Sequence, residues 1–143
     1  MLIVQKFGGS SLADLQRLRR AAGIAAEARR RENQVVLVVS AAGNSTDELL
    51  SLARRILPHP PRRELDALMA TGEQRSAALM AMMLESLGCP ARSFSGARAG
   101  IHTDGNHGKP PSSGWSRRPC AGAWRPGRSP LWRASRAARA RER

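Results

Sequence analysis

The chain has little of what would mark it for a membrane, an export route or a disulfide framework. Its longest apolar stretches fall well short of the ~18 residues a spanning helix requires. The start, Met1-Leu2-Ile3-Val4-Gln5-Lys6, lacks the basic n-region and cleavage site of a signal peptide. Cys89 and Cys120 lie far apart with no CxxC partner, which leaves no support for a zinc site or a disulfide and fits reduced thiols. His59, His102 and His107 show no metal-ligand spacing. The expectation is a cytoplasmic protein with no metal site of its own.

Two further shortages are confined to one end. Residues 1–108 carry 14 basic and 10 acidic groups, whereas residues 109–143 carry 10 basic groups opposed by Glu142 alone. The net charge of +13 therefore describes neither part. Residues 109–143 also contain all three tryptophans, yet Leu131 is their only Leu, Ile or Val. Pro110, Pro111, Pro119, Pro126 and Pro130 interrupt any regular element there. Such a segment cannot bury enough apolar area to offset its ordering entropy, so the tail is expected to be disordered. Stacking of Trp115, Trp124 and Trp132 with arginines on single-stranded bases is the competing reading. No RNA-binding motif accompanies them, and no specific nucleic-acid partner is expected.

Residues 1–108 are different in kind, and their length suits one domain. Leu2-Ile3-Val4 is a short apolar run that leads into Lys6 and then Gly8-Gly9, as a strand ending in a tight turn does. Ser11 can cap a following helix, with Asp14 completing a capping-box-like pattern. Leu15, Leu18, Ala22 and Ala25 then fall at helical spacing up to about Glu32-Asn33. Val35-Val36-Leu37-Val38-Val39 is apolar at every position, as a parallel strand covered on both faces must be. Ser45 or Thr46 caps a second helix that stops before Pro58-His59-Pro60-Pro61. A third helical region runs from near Arg62 to Leu87, with a kink allowed at Thr71-Gly72. Ala91 to Ser95 forms a weak third strand. The pattern predicts an α/β fold: an αβα three-layer sandwich with a mainly parallel sheet.

Three segments carry chemistry. Lys6-Phe7-Gly8-Gly9-Ser10-Ser11 sits where a strand opens into a helix; two glycines permit close phosphate approach and positive φ, and Lys6 adds a full positive charge. It is neither a Walker A motif nor a dinucleotide GxGxxG. A tight strand–helix connection with an incidental lysine is the plainer alternative. Ser40-Ala41-Ala42-Gly43-Asn44-Ser45-Thr46-Asp47-Glu48 follows the second strand, so both loops face the crevice at the carboxyl ends of the strands. Its hydroxyls suit a substrate carboxylate, or simply cap the helix. Glu73, beside Gly72 in an apolar helix, suits a substrate ammonium, against the default of a solvated helix face.

Together these segments resemble the aspartate kinase family, within the broader amino acid kinase group. The matching stretches are Lys6 to Ser11, Val39 to Leu49, Arg63-Glu64-Leu65-Asp66, Thr71-Gly72-Glu73-Gln74 and Glu85-Ser86-Leu87-Gly88. The resemblance implies phosphoryl transfer from ATP, with Mg²⁺, to the β-carboxylate of L-aspartate, giving aspartyl phosphate for lysine, threonine and methionine synthesis. It implies that Lys6 acts catalytically and, with Phe7, Gly8, Gly9 and Ser10, handles the phosphates of ATP. It implies that Ser40, Thr46 and Glu73 contact aspartate, and that the intact protein is a homo-oligomer. A glutamate or acetylglutamate kinase is the alternative; Ser45-Thr46-Asp47-Glu48 and Thr71-Gly72-Glu73 argue against it. Ala99-Gly100-Ile101-His102-Thr103-Asp104 and Gly108 still match the family. The family's nucleotide-binding half and regulatory domains then have no counterpart, so the chain is expected to be truncated and inactive. An abrupt shift to Arg, Pro, Ala, Gly, Ser and Trp after about residue 108 is what a GC-rich gene yields in the wrong reading frame.

Overall fold

The computed structural model describes residues 1–103, 112–115 and 129–133. Strand β1 (Leu2–Phe7) leads through a 3₁₀ turn (Gly9–Leu12) into helix α1 (Leu15–Arg30) and strand β2 (Gln34–Val39). Helices α2 (Ser45–Ile56) and α3 (Arg62–Ser86) follow, then β3 (Ala91–Ser93), β4 (Ile101–Thr103), β5 (Ser112–Trp115) and β6 (Ser129–Arg133). The main sheet has the order β1-β2-β6-β3 with every pairing parallel, while β4 and β5 form a separate antiparallel pair.

Register decides which residues reach the core. Ile3, Gln5 and Phe7 lie opposite Val35, Leu37 and Val39, so these positions share one face of the sheet. Leu18, Ala21, Ala22, Ala25 and Ala26 of α1 and Ala77, Met80 and Leu84 of α3 bury that face. The alanines of α1 let its backbone approach the strands closely, and Met80 fills the irregular space between the helices and the sheet. Gln5 is the exception on this face: its Oε1 is buried with no hydrogen-bond partner among the described residues.

The opposite face is bare among the described residues. Leu2, Val4 and Lys6 share it with Val36 and Val38, and Leu2 and Val4 are 57% and 63% exposed. Helix α2 packs on α3, not on this face. The expected α/β class, parallel sheet and third strand are present, and α3 runs as one helix through Thr71-Gly72, where the sequence had suggested a kink. Of the three expected layers, the described residues supply the sheet and one helical layer, as an incomplete domain would.

The tail differs from expectation where it is described. No strand was expected beyond residue 108, yet Ser112–Trp115 pairs with β4 and Ser129–Arg133 runs between β2 and β3. Backbone groups pair in a ladder whatever the side chains, which is why composition did not reveal these strands. The rest of the segment expected to be disordered lies outside the described residues, as do Asp104, His107, Gly108, Cys120 and Trp124.

Candidate active site

The loops after β1 and β2 leave the same edge of the sheet, because Phe7 is the register partner of Val39. Backbone hydrogen bonds lock them together. Ser40 N–H donates to the Phe7 carbonyl at 3.2 Å and Gly43 N–H to the Gly9 carbonyl at 2.9 Å. A Cβ on Gly9 would stand 2.5 Å from the Ala41 carbonyl oxygen, closer than real contacts allow. Gly9 is therefore demanded by the neighbouring loop. Gly43 crosses over Ala13 with φ of +54°, a left-handed conformation that glycine adopts without strain.

Gly8 has no such internal reason. Its φ is −75° and its ψ 169°, and a Cβ there would meet nothing within 4 Å. The expectation that the paired glycines supply positive φ is corrected here: neither Gly8 nor Gly9 is among the positive-φ residues. Gly9 serves close packing, whereas no described residue crowds Gly8.

The helix starts also differ from the sequence reading. Ser11 does not cap α1; its N–H donates to the Gly8 carbonyl at 3.0 Å within the 3₁₀ turn. Asp14 is the cap, its Oδ1 accepting from Arg17 N–H at 2.7 Å. The interposed 3₁₀ turn delays the helix by several residues and leaves the Gly8-Gly9-Ser10 stretch at the sheet edge.

At α2 neither Ser45 nor Thr46 caps. The N-cap position is Asn44, with no side-chain cap bond, and Ser45 is the first helical residue. Ser45 is only 4% exposed; its hydroxyl donates to the Ala42 carbonyl and accepts from Arg75 Nη2 at 2.6 Å. This buried serine is a bolt between the second loop and α3. Thr46 beside it is exposed, on the first turn of α2 with Asp47 and Glu48, where acidic groups complement the helix dipole.

Helix α3 brings the third segment in. Gly72 is buried, and a Cβ there would lie 3.1 Å from the Ala41 Cβ and 3.6 Å from Leu49 Cδ1. Helix and loop therefore touch at a residue with no side chain. Glu73 follows, half-buried, with Oε2 hidden from solvent. Ser76 Oγ returns a bond to the Gly72 carbonyl at 3.1 Å, steadying this turn.

The candidate residues thus divide. The Phe7–Gly9, Ser40–Gly43 and Gly72–Arg75 stretches meet at one edge of the sheet. Lys6 is exposed at the same edge, on the helix-free face, and Ser10 is exposed with its carbonyl accepting from Arg17 Nη1 at 2.9 Å. Ser40 is half-buried at the end of β2. The sequence reading overlooked Arg75, whose partner stands thirty positions away; Gly72, a glycine inside a long helix, was the available signal that something approaches there. A surface hollow runs along α2 past Asn44, Asp47, Glu48, Ser51, Leu52 and Arg55. Its lining includes none of the glycines, so the loop geometry is the better guide to chemistry.

Two polar loops locked together at the carboxyl edge of a parallel α/β sheet are the arrangement at which open α/β sheets hold their ligands. The sequence matches the Amino acid kinase family over residues 1–119, and the chain belongs to that family. It is 55% identical over 107 residues to an aspartokinase of Mycolicibacterium smegmatis, covering 75% of this chain and 25% of that one. An aspartokinase of Thermus thermophilus is 49% identical over 107 residues, covering 75% and 26%. Among solved structures, the aspartate kinase from Synechocystis superposes with a TM-score of 0.79 at 38% identity, covering 92% of this chain and 21% of that one. The chain therefore spans about a quarter of the length of the curated relatives it matches. Among the described residues no helix is long and apolar enough to cross a membrane.

Proposed function

We propose that this chain is the acceptor- and phosphate-facing part of an aspartate kinase, which moves the γ-phosphoryl group of ATP to the β-carboxylate of L-aspartate. The observation that carries the reading is the convergence of three separate segments on one sheet edge, each joined to the next by a contact that tolerates no larger residue or by a hydrogen bond. The E. coli aspartokinase III structure that contains aspartate and ADP shares this fold at a TM-score of 0.71 and 18% identity. That likeness concerns the fold alone; the aspartate and ADP bound there suggest what to test here.

In this reading Gly8 remains glycine because a phosphate oxygen, not protein, approaches it. The N–H groups of Gly8, Gly9 and Ser10 line the approach, and Lys6 and Phe7 flank it. The Lys6 ammonium sits at the bare edge and neutralises charge that grows on the transferring group. Ser40 and Thr46 offer hydroxyls to the aspartate carboxylates, and Glu73 receives its ammonium. Arg75 acts one step back, holding Ser45 and thereby the backbone beside Thr46. Mg²⁺, arriving with ATP, would supply positive charge to the phosphates. The described residues include no cluster of three or more His, Cys, Asp or Glu side chains that fits a metal ion, so no step is assigned to a protein-held metal. The intact relative is proposed to be a cytoplasmic homo-oligomer.

The reading is tested by replacing the first 108 residues of the M. smegmatis aspartokinase with residues 1–108 of this chain. The chimera should release ADP in the presence of aspartate and not of glutamate. Lys6→Ala in it should lower kcat by about a hundredfold or more, the scale of one lost charge-stabilising group. Glutamate-dependent turnover would overturn the choice of acceptor. The present chain, alone, should show no aspartate-dependent ADP release; turnover at about 1–100 per second would show that it needs no second half.

A further inference from the structure

The weakest agreement between sequence and position lies in the middle of the sheet. Strand β6 runs between β2 and β3, pairing in parallel with Leu37–Val39 on one side and Ala91–Ser93 on the other. An interior strand of a parallel sheet is normally apolar throughout and free of proline, which donates no ladder hydrogen bond. Here the occupant reads Ser129-Pro130-Leu131-Trp132-Arg133, with Pro130 in register with Arg92 and Arg133 in register with Val39. Local sequence and global position conflict, as they rarely do in a folded protein.

We infer that the codons of residues 109–143 are read one nucleotide out of register, and that in the neighbouring frame they specify an apolar strand suited to the place between β2 and β3. The genetic code makes the argument concrete. Join the last base of each codon to the first two bases of the next. Trp and Cys codons all begin with TG, so each becomes NTG, which is Leu, Met or Val whatever N is. Trp115, Cys120, Trp124 and Trp132 are therefore all replaced by branched or long apolar residues. Trp is TGG, so an arginine codon CGN after it becomes GCG; Arg125 and Arg133 turn into alanine. Serine codons TCN become NTC, which is Phe, Leu, Ile or Val, at Ser112, Ser113, Ser116, Ser129 and Ser135. The other CGN arginines become NCG, which is Ser, Pro, Thr or Ala whatever N is, so each of them loses its charge.

The apolar positions created this way are not scattered. They cluster at 112–116 and at 129–135, the neighbourhoods of β5 and β6. The pair at 120 and 124 falls at i, i+4 between them, the spacing of a helix face. Strand, helix, strand is the pattern that continues a parallel α/β sheet. A single slip thus accounts for three oddities at once: the tryptophans, the missing Leu, Ile and Val, and the arginine excess. The inference does not depend on aspartate being the acceptor; its failure would leave the reading of the loops standing.

Two measurements test it. The gene is resequenced from an independent template across codons 105–143 and the neighbouring frame is translated. The expected result is TCN at the five serines and a frame that stays open beyond codon 143 with α/β patterning. AGN serine codons there, which would place Lys, Gln, Glu or a stop in the strands, would overturn the inference, as would an early stop. Second, the present chain is compared by hydrogen exchange with one carrying the neighbouring-frame residues from position 110 to 136. Val35 to Val39 amides should exchange about tenfold more slowly in the latter, because their new neighbour has an apolar strand's packing. Equal or faster exchange would mean that the present tail already suits its place, and would count for a tail that is genuine.

Discussion

The two faces of the sheet were built from the same strands and met opposite fates. Val35, Leu37 and Val39 are buried under α1 and α3, while Leu2 and Val4, one register step away, stand mostly in solvent. Side chains alternate across a strand, so a difference of one residue decides whether an aliphatic group contributes to the core or waits for a layer not among the described residues. Apolar character alone therefore says little about which residues stabilise this chain. Position on a covered face does.

The largest effect should follow truncation on the covered face. Met80→Ala removes a fully buried side chain between the helices and the sheet and should cost about 2–5 kcal/mol in urea unfolding. A loss under half a kcal/mol would mean that this face is not the core. Next comes the loop edge. Gly9→Ala drives a Cβ into the Ala41 carbonyl and should cost about 1–3 kcal/mol, whereas Gly8→Ala, in open space with an ordinary φ, should leave unfolding unchanged. Equal effects at the two glycines would break the distinction between a packing glycine and a ligand-facing one. Arg75→Ala cuts a charged hydrogen bond to buried Ser45 and should cost about 1.5–3 kcal/mol at most, less where water replaces the guanidinium.

A smaller effect is carried by pH. Burial raises the Cys89 thiol pKa above its ordinary value, with Arg29 and Arg30 opposing the shift and Glu85 adding to it. A thiol whose folded pKa is raised favours folding fully below the unfolded pKa and loses that contribution as pH rises toward the folded one. Stability should therefore fall as pH rises past about 8.5, the free thiol value. Cys89→Ala should flatten that part of the curve, and an unchanged slope would assign it to another group. The smallest effect belongs to the bare face. Val4→Thr should change stability by no more than about 0.5 kcal/mol and reduce self-association seen by light scattering. A loss of more than 2 kcal/mol would show that something covers Val4.

Much of this could be read in the residues. The five-residue apolar run named β2 as a parallel strand, and Leu2 to Lys6 followed by Gly8-Gly9 named β1 and its turn. Helix caps were less legible, because Ser11, Asp14, Ser45 and Asn44 are all competent and only the length of the 3₁₀ turn and the burial of Ser45 choose among them. Arg75 was invisible, since a hydrogen bond spanning thirty positions leaves no local pattern. The strands of the tail were invisible for another reason: ladder pairing is made by the backbone, and the residues present argue against it.

The turn at Gly8-Gly9, the order of strands and helices and the three candidate segments were set by local chemistry, through alternation, helical spacing and glycine's tolerance. Tertiary structure alone decided that Gly9 answers to Ala41 and Gly8 to no described residue. It also decided that Ser45 is a bolt instead of a cap, and that one face of the sheet is core while the other lies open. Those outcomes depend on what approaches from elsewhere in the chain, and proximity in space is the one property a linear pattern does not contain.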